Sequence, residues 1–230
     1  IHLFETETGK RLLSDAPFTP SNTAQVVHVG PDLLILHAER RFLEAYDLPA
    51  GTLRWRVNLE RLTTRAVEVG PAGLVLMGVQ KTGEGDEQDF LAVVNVRNGK
   101  IVRMKEKMGL GDARFLLLDA ERAYVVSREA DRSVGVRGVR LSDLEVEWSA
   151  NVESAQATLL PPSMARDHVV VATFEEGKDR KYAYGASLLD KRGKVSQNIR
   201  SDAVFERPPN YGLANGSLVF SVDTKVDVHK

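Results

Sequence analysis

The chain has 230 residues, with 31 basic and 32 acidic side chains, a net charge of −1 and no cysteine. That length holds one domain or two small ones, and the charge balance excludes a general binder of nucleic acid or other polyanions. Without cysteine there is no disulfide scaffold, zinc–thiolate site or cysteine nucleophile. The longest stretch free of Asp, Glu, Lys and Arg is the 16 residues Ala16–Pro31, too short and too rich in Pro, Ser, Thr and Asn to span a membrane.

In chain order, strand signals follow one another throughout. Ile1–Phe4 reads as a strand, Thr8-Gly9-Lys10 as a turn and Arg11–Ser14 as the next strand. Then come Val26–Val29, the wholly apolar Leu33–Leu36, Phe42–Tyr46 and Leu53–Val57. Ala38–Ala45 is the best helical candidate, yet it reads better as a hairpin tip at Glu39-Arg40-Arg41 between two strands. Further on, short apolar strands recur at Leu74–Met77, Ala123–Val126, His168–Val171 and Ser217–Phe220. Gly and Asn turns flank these β-branched and aromatic runs, which is hairpin chemistry.

Two markers repeat in phase. Turns anchored at Gly9, Gly51, Gly99, Asp143 and Gly193 are spaced by 42, 48, 44 and 50 residues. The second residues of the apolar strands, Leu34, Val75, Tyr124, Val169 and Val219, are spaced by 41, 49, 45 and 50. About 40–50 residues per unit with four short strands predicts an all-β protein: a β-propeller of four-stranded antiparallel blades. Such units cannot bury their own faces and need neighbours. The apolar second strand is expected to be covered on both faces. The repeats make 1–230 a single propeller domain or a fragment of one. It has about four full blades plus one split between the termini.

The stretch Ala45-Tyr46-Asp47-Leu48-Pro49-Ala50-Gly51-Thr52-Leu53-Arg54-Trp55 resembles the repeat of PQQ-like propellers, with Ala45, Asp47, Gly51 and Trp55 at the family positions and Ala50 in place of Thr. Other copies are degraded. The first keeps Thr8 and Gly9 but has Glu5 for Asp and Leu13 for Trp. The third keeps Gly99 with Asn95 for Asp and Arg103 for Trp. The fourth has no Gly, and its Trp148 is displaced by one; the fifth, Leu189–Lys194, is one residue shorter at the turn. The family contains quinoprotein dehydrogenases and non-catalytic relatives such as the barrel-assembly lipoprotein of bacterial outer membranes. The resemblance implies a propeller of the non-catalytic branch. In physical terms Gly51 supplies φ > 0 in the turn, Asp47 accepts from turn N–H groups, and Trp55 and Trp148 anchor one blade on another.

No residue is assigned to a catalytic, cofactor or metal site. His2, His28, His37, His168 and His229 form no tight ligand pair, and His28 and His168 read as structural. The catalytic members' calcium carboxylates and base cannot be assigned here, and their vicinal disulfide is absent. The acidic loop Lys81–Asp89 alternates Glu84, Asp86 and Gln88, oxygen donors that would suit calcium. It lacks the closing Glu of a calcium loop and reads as a hairpin tip. Asn215-Gly216-Ser217 reads as a turn rather than a glycosylation sequon, and Gly109-Leu110-Gly111 is too short for a phosphate loop.

The loops Glu39–Arg41, Lys81–Asp89, Arg128–Ser133 and Glu175–Lys181 change length and carry mixed charge, whereas the Gly turns stay short. Up-and-down connectivity puts the two sets on opposite ends of the blades. Loops on a rigid scaffold carry function, and mixed sign suits a protein partner. The expectation is therefore a non-catalytic interaction scaffold with a protein partner, no cofactor, no nucleic acid and no membrane insertion. The alternatives are a fragment of a quinone- or calcium-dependent oxidoreductase, and a carbohydrate- or peptide-binding sensor module. The chain starts and stops inside strand-like runs, so it reads as a processed chain or a piece of a longer one, and no compartment is assigned. Its ends, Ile1–Ser14 and Gly216–His229, read as complementary parts of one repeat. They either close a five-bladed ring or belong to an arc cut from a larger one, the arc being favoured.

Overall fold

A computed structural model describes residues 8, 25–30, 33–38, 42–48, 50–83, 85–129, 133–152, 158–177, 181–201, 205, 210–214, 217–222 and 225–229. Among them are twenty strands and no helix. The expected unit appears at once. β1 (Gln25–Val29), β2 (Leu33–Ala38), β3 (Phe42–Asp47) and β4 (Thr52–Asn58) form an antiparallel sheet in that order. β5 (Leu62–Gly70), β6 (Gly73–Lys81), β7 (Glu87–Val94) and β8 (Ile101–Glu106) repeat it. So do β9 (Asp112–Leu118), β10 (Arg122–Arg128), β11 (Val134–Arg140) and β12 (Glu145–Val152).

In the next sheet the first strand is broken in two. β13 (Thr158–Leu159) and β14 (Ser163–Ala165) both pair with β15 (His168–Glu176), which continues to β16 (Tyr182–Asp190) and β17 (Val195–Arg200). The break falls at Pro161-Pro162, residues with no N–H to give a ladder. Last come β18 (Asn210–Ala214), β19 (Ser217–Val222) and β20 (Lys225–His229), three strands in sequence order. The strand at Asn210–Ala214 was not anticipated. The hairpin tip at 39–41 and the first repeat copy, apart from Thr8, lie outside the described residues, as does the question of how the two chain ends relate.

The apolar second strands are covered on both faces, as expected: six successive residues of β6, Leu74–Val79, and five each of β10, Ala123–Ser127, and β15, Val169–Thr173, are buried. A two-sided cover removes the polar alternation that a half-exposed strand would show.

The residues fall into two compact units. One comprises 1–109, 118–121 and 141–144; the other comprises 110–117, 122–140 and 145–230. In the first, Leu33, Ile35, Leu43, Ala45 and Trp55 of one sheet pack against Leu74, Leu76, Phe90, Ala92 and Val94 of the next. In the second, Tyr124, Val126, Val134, Val136 and Val152 pack against Val169, Val171 and Leu189. The opposite face of that last sheet builds a further core from Val170, Tyr184, Phe205 and Phe220. Tyr184 is stacked there, 3.8 Å from the Phe220 ring and 5.2 Å from that of Phe205.

On the face of the first sheet opposite its core, Glu44 is buried and satisfied. Tyr46 Oη donates to its Oε2 at 2.7 Å and Arg56 Nε to its Oε1 at 2.7 Å, while the Arg56 guanidinium lies 5.0 Å from the Phe42 ring centre. Desolvation, reinforced by the Glu44 carboxylate, raises the Tyr46 phenol pKa well above its ordinary value. A raised folded-state pKa gives stability that is whole below pH 10 and is lost as pH climbs beyond it. Tyr46→Phe should therefore flatten the alkaline limb of the stability curve. A denaturation series from pH 8 to 11 with identical slopes for both proteins would remove Tyr46 from that account.

Candidate functional site

The two ends of the sheets are built differently. At one end lie the turns between each sheet's third and fourth strands. Asp47 accepts the Gly51 N–H through its carbonyl at 2.7 Å, and Asn95 accepts that of Gly99 at 2.8 Å. The Asp190 carboxylate accepts the N–H groups of Arg192 and Lys194 at 2.8 and 2.9 Å, bonds that hold its pKa below the usual carboxylate range. Gly51, Gly99 and Gly193 all have φ between 70° and 79°. In the sheet lacking the glycine, Leu144 takes the left-handed conformation instead, at φ 61°.

Each of these hairpins carries a β-bulge in the same place, at Ala45/Tyr46, Val93/Val94, Gly138/Val139 and Leu188/Leu189. The turn register resolves the displaced tryptophan, because the left-handed Leu144 stands where Gly51 does and Trp148 follows it at the spacing of Trp55. Trp55 pairs with Ala45 and Trp148 with Gly138, each immediately past the bulge, so they are structurally equivalent.

Both indoles close the seam to the following sheet. Trp55 Nε1 donates to the Val96 carbonyl at 2.8 Å and Trp148 Nε1 to that of Lys191 at 2.8 Å. Under each ring lies the next sheet's turn glycine. A Cβ on Gly99 would sit 2.8 Å from Trp55 Cδ2, and one on Gly193 would sit 2.6 Å from Trp148 Cδ2. The repeat's Gly and Trp are thus partners across sheets, which supports the packing role expected of both tryptophans.

At the other end run the loops joining second and third strands. Length does not set them apart, contrary to expectation. They span two to five residues, whereas the Gly turns span four to six. Strands continue nearly to the loop tips, so much of what reads as loop in the sequence is ladder: Lys81 pairs with Glu87 and Gln80 with Gln88. Within the acidic loop the Asp86 carbonyl accepts from Thr82 N at 2.9 Å, and the Asp89 carboxylate accepts from Met108 N at 2.7 Å. Glu84 lies outside the described residues. Among the described residues no three His, Asp or Glu side chains converge as a metal set. His28 and His168 are half-buried strand residues; His2, the His37 side chain and the His229 side chain are outside the described set.

Beside the Arg128–Ser133 loop, a polar cluster is internally satisfied. Ser127 Oγ donates to Glu129 Oε1 at 2.6 Å, and Arg137 Nη1 donates to both Ser127 Oγ and Glu129 Oε1 at 2.7 and 2.8 Å. Gly135 leaves room for the carboxylate. With Ser127 fully buried, this is a structural ion pair rather than a nucleophile.

The loop end of the second unit holds a cleft of about 540 Å³ between β12 and the β15–β17 sheet. Pairing explains its lining. Thr173, Gly185 and Arg200 lie in one row across that sheet, Ser187 and Asn198 in the next, and Glu175 opposite Ala183 beyond them. All share the face that, further down, carries Val171 and Leu189 into the core. Asn151 and Val152, at the end of β12, form the opposing wall. Toward the loops, apolar side chains give way to small and polar ones, so the two sheets part. Ser187 Oγ donates to Asn198 Oδ1 at 2.7 Å. Among the described residues neither Glu175 nor Arg200, both exposed, has an ion-pair partner. No part of this cleft was singled out from sequence except Glu175, as a loop boundary.

No family model matches the sequence, and no curated protein matches it. Solved structures do. A computationally designed protein, Ika8, aligns with 99% of the chain at TM-score 0.60 and 11% identity, over 64% of its own length. The Dos1 propeller aligns with 99% at TM-score 0.58 and 12% identity, over 58% of its length. An acylaminoacyl peptidase from Pyrococcus horikoshii aligns with 75% at TM-score 0.52 and 10% identity, over 32% of its length. The fold is a β-propeller. The chain spans less than two thirds of each of these structures. Among the described residues no helix is long and apolar enough to cross a membrane.

Proposed function

We propose that this chain is a PQQ-like β-propeller domain of the non-catalytic branch, spanning 1–230, that serves as a scaffold for a protein partner bound at the loop end of its blades. The carrying observation is the contrast between the two ends. Indole and glycine close the turn end in both units. In the second unit the loop end opens into a cleft with an acid and a base at its margin. The PQQ-like assignment is supported by Ala45, Asp47, Gly51 and Trp55, and by the Trp–Gly pairing that gives the motif a mechanical reason. The absence of catalysis is part of the proposal, and among the described residues of the cleft Ser187 is engaged with Asn198 rather than with a base.

A photo-crosslinking residue placed at Glu175 or Asp86, at the loop end, should yield a discrete adduct with another protein in the source cells; one at Asn98 or Arg192, at the turn end, should not. Equal adducts from both ends, or none, would overturn the scaffold reading. Saturable heat on titration with calcium plus pyrroloquinoline quinone would support the oxidoreductase alternative instead.

A further inference from the structure

We propose that the cleft between β12 and the β15–β17 sheet binds an extended polypeptide segment carrying one basic and one acidic side chain about three residues apart. This rests on the scaffold reading and names the chemistry its partner presents. At about 540 Å³ the cleft lies within the range that takes a small ligand. Its chemistry is dipolar. Glu175 offers a carboxylate at one margin and Arg200 a guanidinium at the other, and among the described residues no second charge of either sign lines it. Between them stand donors and acceptors suited to amide groups. These are the Thr173 and Ser187 hydroxyls, Asn151, and the Asn198 amide, whose oxygen is already held by Ser187 and whose N–H₂ remains to donate.

Spacing sets the ligand's shape. Glu175 and Arg200 lie on strands flanking β16 and are offset by two residues, because Glu175 pairs with Ala183 and Arg200 with Gly185. Two strand separations across and two residues along put their backbone positions about 12 Å apart, which an extended chain covers in three to four residues.

Other ligand classes fit worse. A polyanion would meet Glu175. An apolar ligand would strand the Thr, Ser and Asn groups. A sugar would want an aromatic ring to stack on, and the one aromatic residue in the lining, Tyr184, has its ring in the core on the other face against Phe205 and Phe220. A metal would need converging carboxylates, which are absent among the described residues.

The test is a fluorescence-anisotropy titration of the full chain with labelled, terminally blocked tetrapeptides. Two carry Lys and Glu at the ends, in either order; two controls carry Lys twice or Glu twice. One mixed-charge order should saturate below about 1 mM and bind at least about tenfold tighter than either control. Glu175→Gln and Arg200→Gln, both at exposed positions, should each weaken it by about fivefold or more. Arg192→Gln at the turn end should leave it unchanged. Amide chemical shifts of the variants report that each remains folded.

Failure of every peptide to saturate, or equal binding of the like-charged controls, would overturn the proposal. So would indifference to both cleft substitutions. If crosslinking at the loop end persists while the peptides fail, the scaffold stands and the cleft is not its binding site; if the peptides bind and crosslinking fails, the scaffold falls and the cleft stands.

Discussion

Trp55→Ala is expected to cost the first unit about 3–5 kcal/mol, the range for emptying a buried aromatic site. The indole is 8% exposed and belongs to the core of that unit. It lies over Gly99 and donates to the Val96 carbonyl at 2.8 Å, so its removal opens a void and strips an acceptor of its donor. Indole fluorescence cannot report the loss, because the remaining tryptophan, Trp148, sits in the other unit. Amide exchange can. The N–H groups of Leu76 and Ala92, both fully buried in the same core, should lose protection by the corresponding factor. A loss below about 1 kcal/mol would mean that the ring contributes little to packing and would reopen a ligand-stacking role.

The architecture was legible because two signals of different physical origin kept one rhythm. The turn glycines answer to backbone geometry, and the apolar second strands answer to cover on both faces. Neither depends on which sheet packs on which, so local sequence suffices to see them. The misreadings arose where a local pattern was altered by pairing. Trp148 looks out of place when residues are counted from Asp143, but counted from the left-handed Leu144 it falls where Trp55 falls after Gly51, with the same turn length and the same bulge in both hairpins. The missing glycine of that repeat is replaced by Leu144, held left-handed at φ 61° with its side chain 1% exposed. Burial there outweighs a conformational preference of about 1–2 kcal/mol. The strand preceding His168 was not anticipated because Pro161-Pro162 splits it into pieces of two and three residues, too short to show a period.

The cleft was harder to foresee than any strand. Alternation along β16 shows that Ala183, Gly185 and Ser187 share a face. It does not show that Thr173, Glu175, Asn198 and Arg200 join them from either side, nor that β12 ends opposite. Those facts come from register across three strands and from packing between sheets, both long-range. The charged loops pointed to the end of the blades where the cleft lies, but for a reason the structure does not support, since their lengths overlap those of the Gly turns.

Gly193→Ala should be nearly as damaging as the loss of Trp55, and its cause can be separated into two parts. Gly193 has φ 79°, where a Cβ costs about 1–2 kcal/mol. That Cβ would also press into Trp148 Cε3, Cδ2 and Cζ3. The indole has little room to retreat, because it is bounded on its own sheet by Gly138 and tethered through Nε1 to the Lys191 carbonyl. Overpacking of this kind costs about 1–3 kcal/mol more, for a total of about 2–5 kcal/mol. In a Trp148→Ala background the steric part vanishes and the backbone part remains. The double-mutant cycle should therefore return a coupling of about 1–3 kcal/mol, with alanine at 193 better tolerated once the indole is gone. Equal costs in both backgrounds would leave backbone strain as the whole effect. They would also mean that the Gly–Trp contact seen in both units is a consequence of the blade repeat rather than one of the forces that hold it.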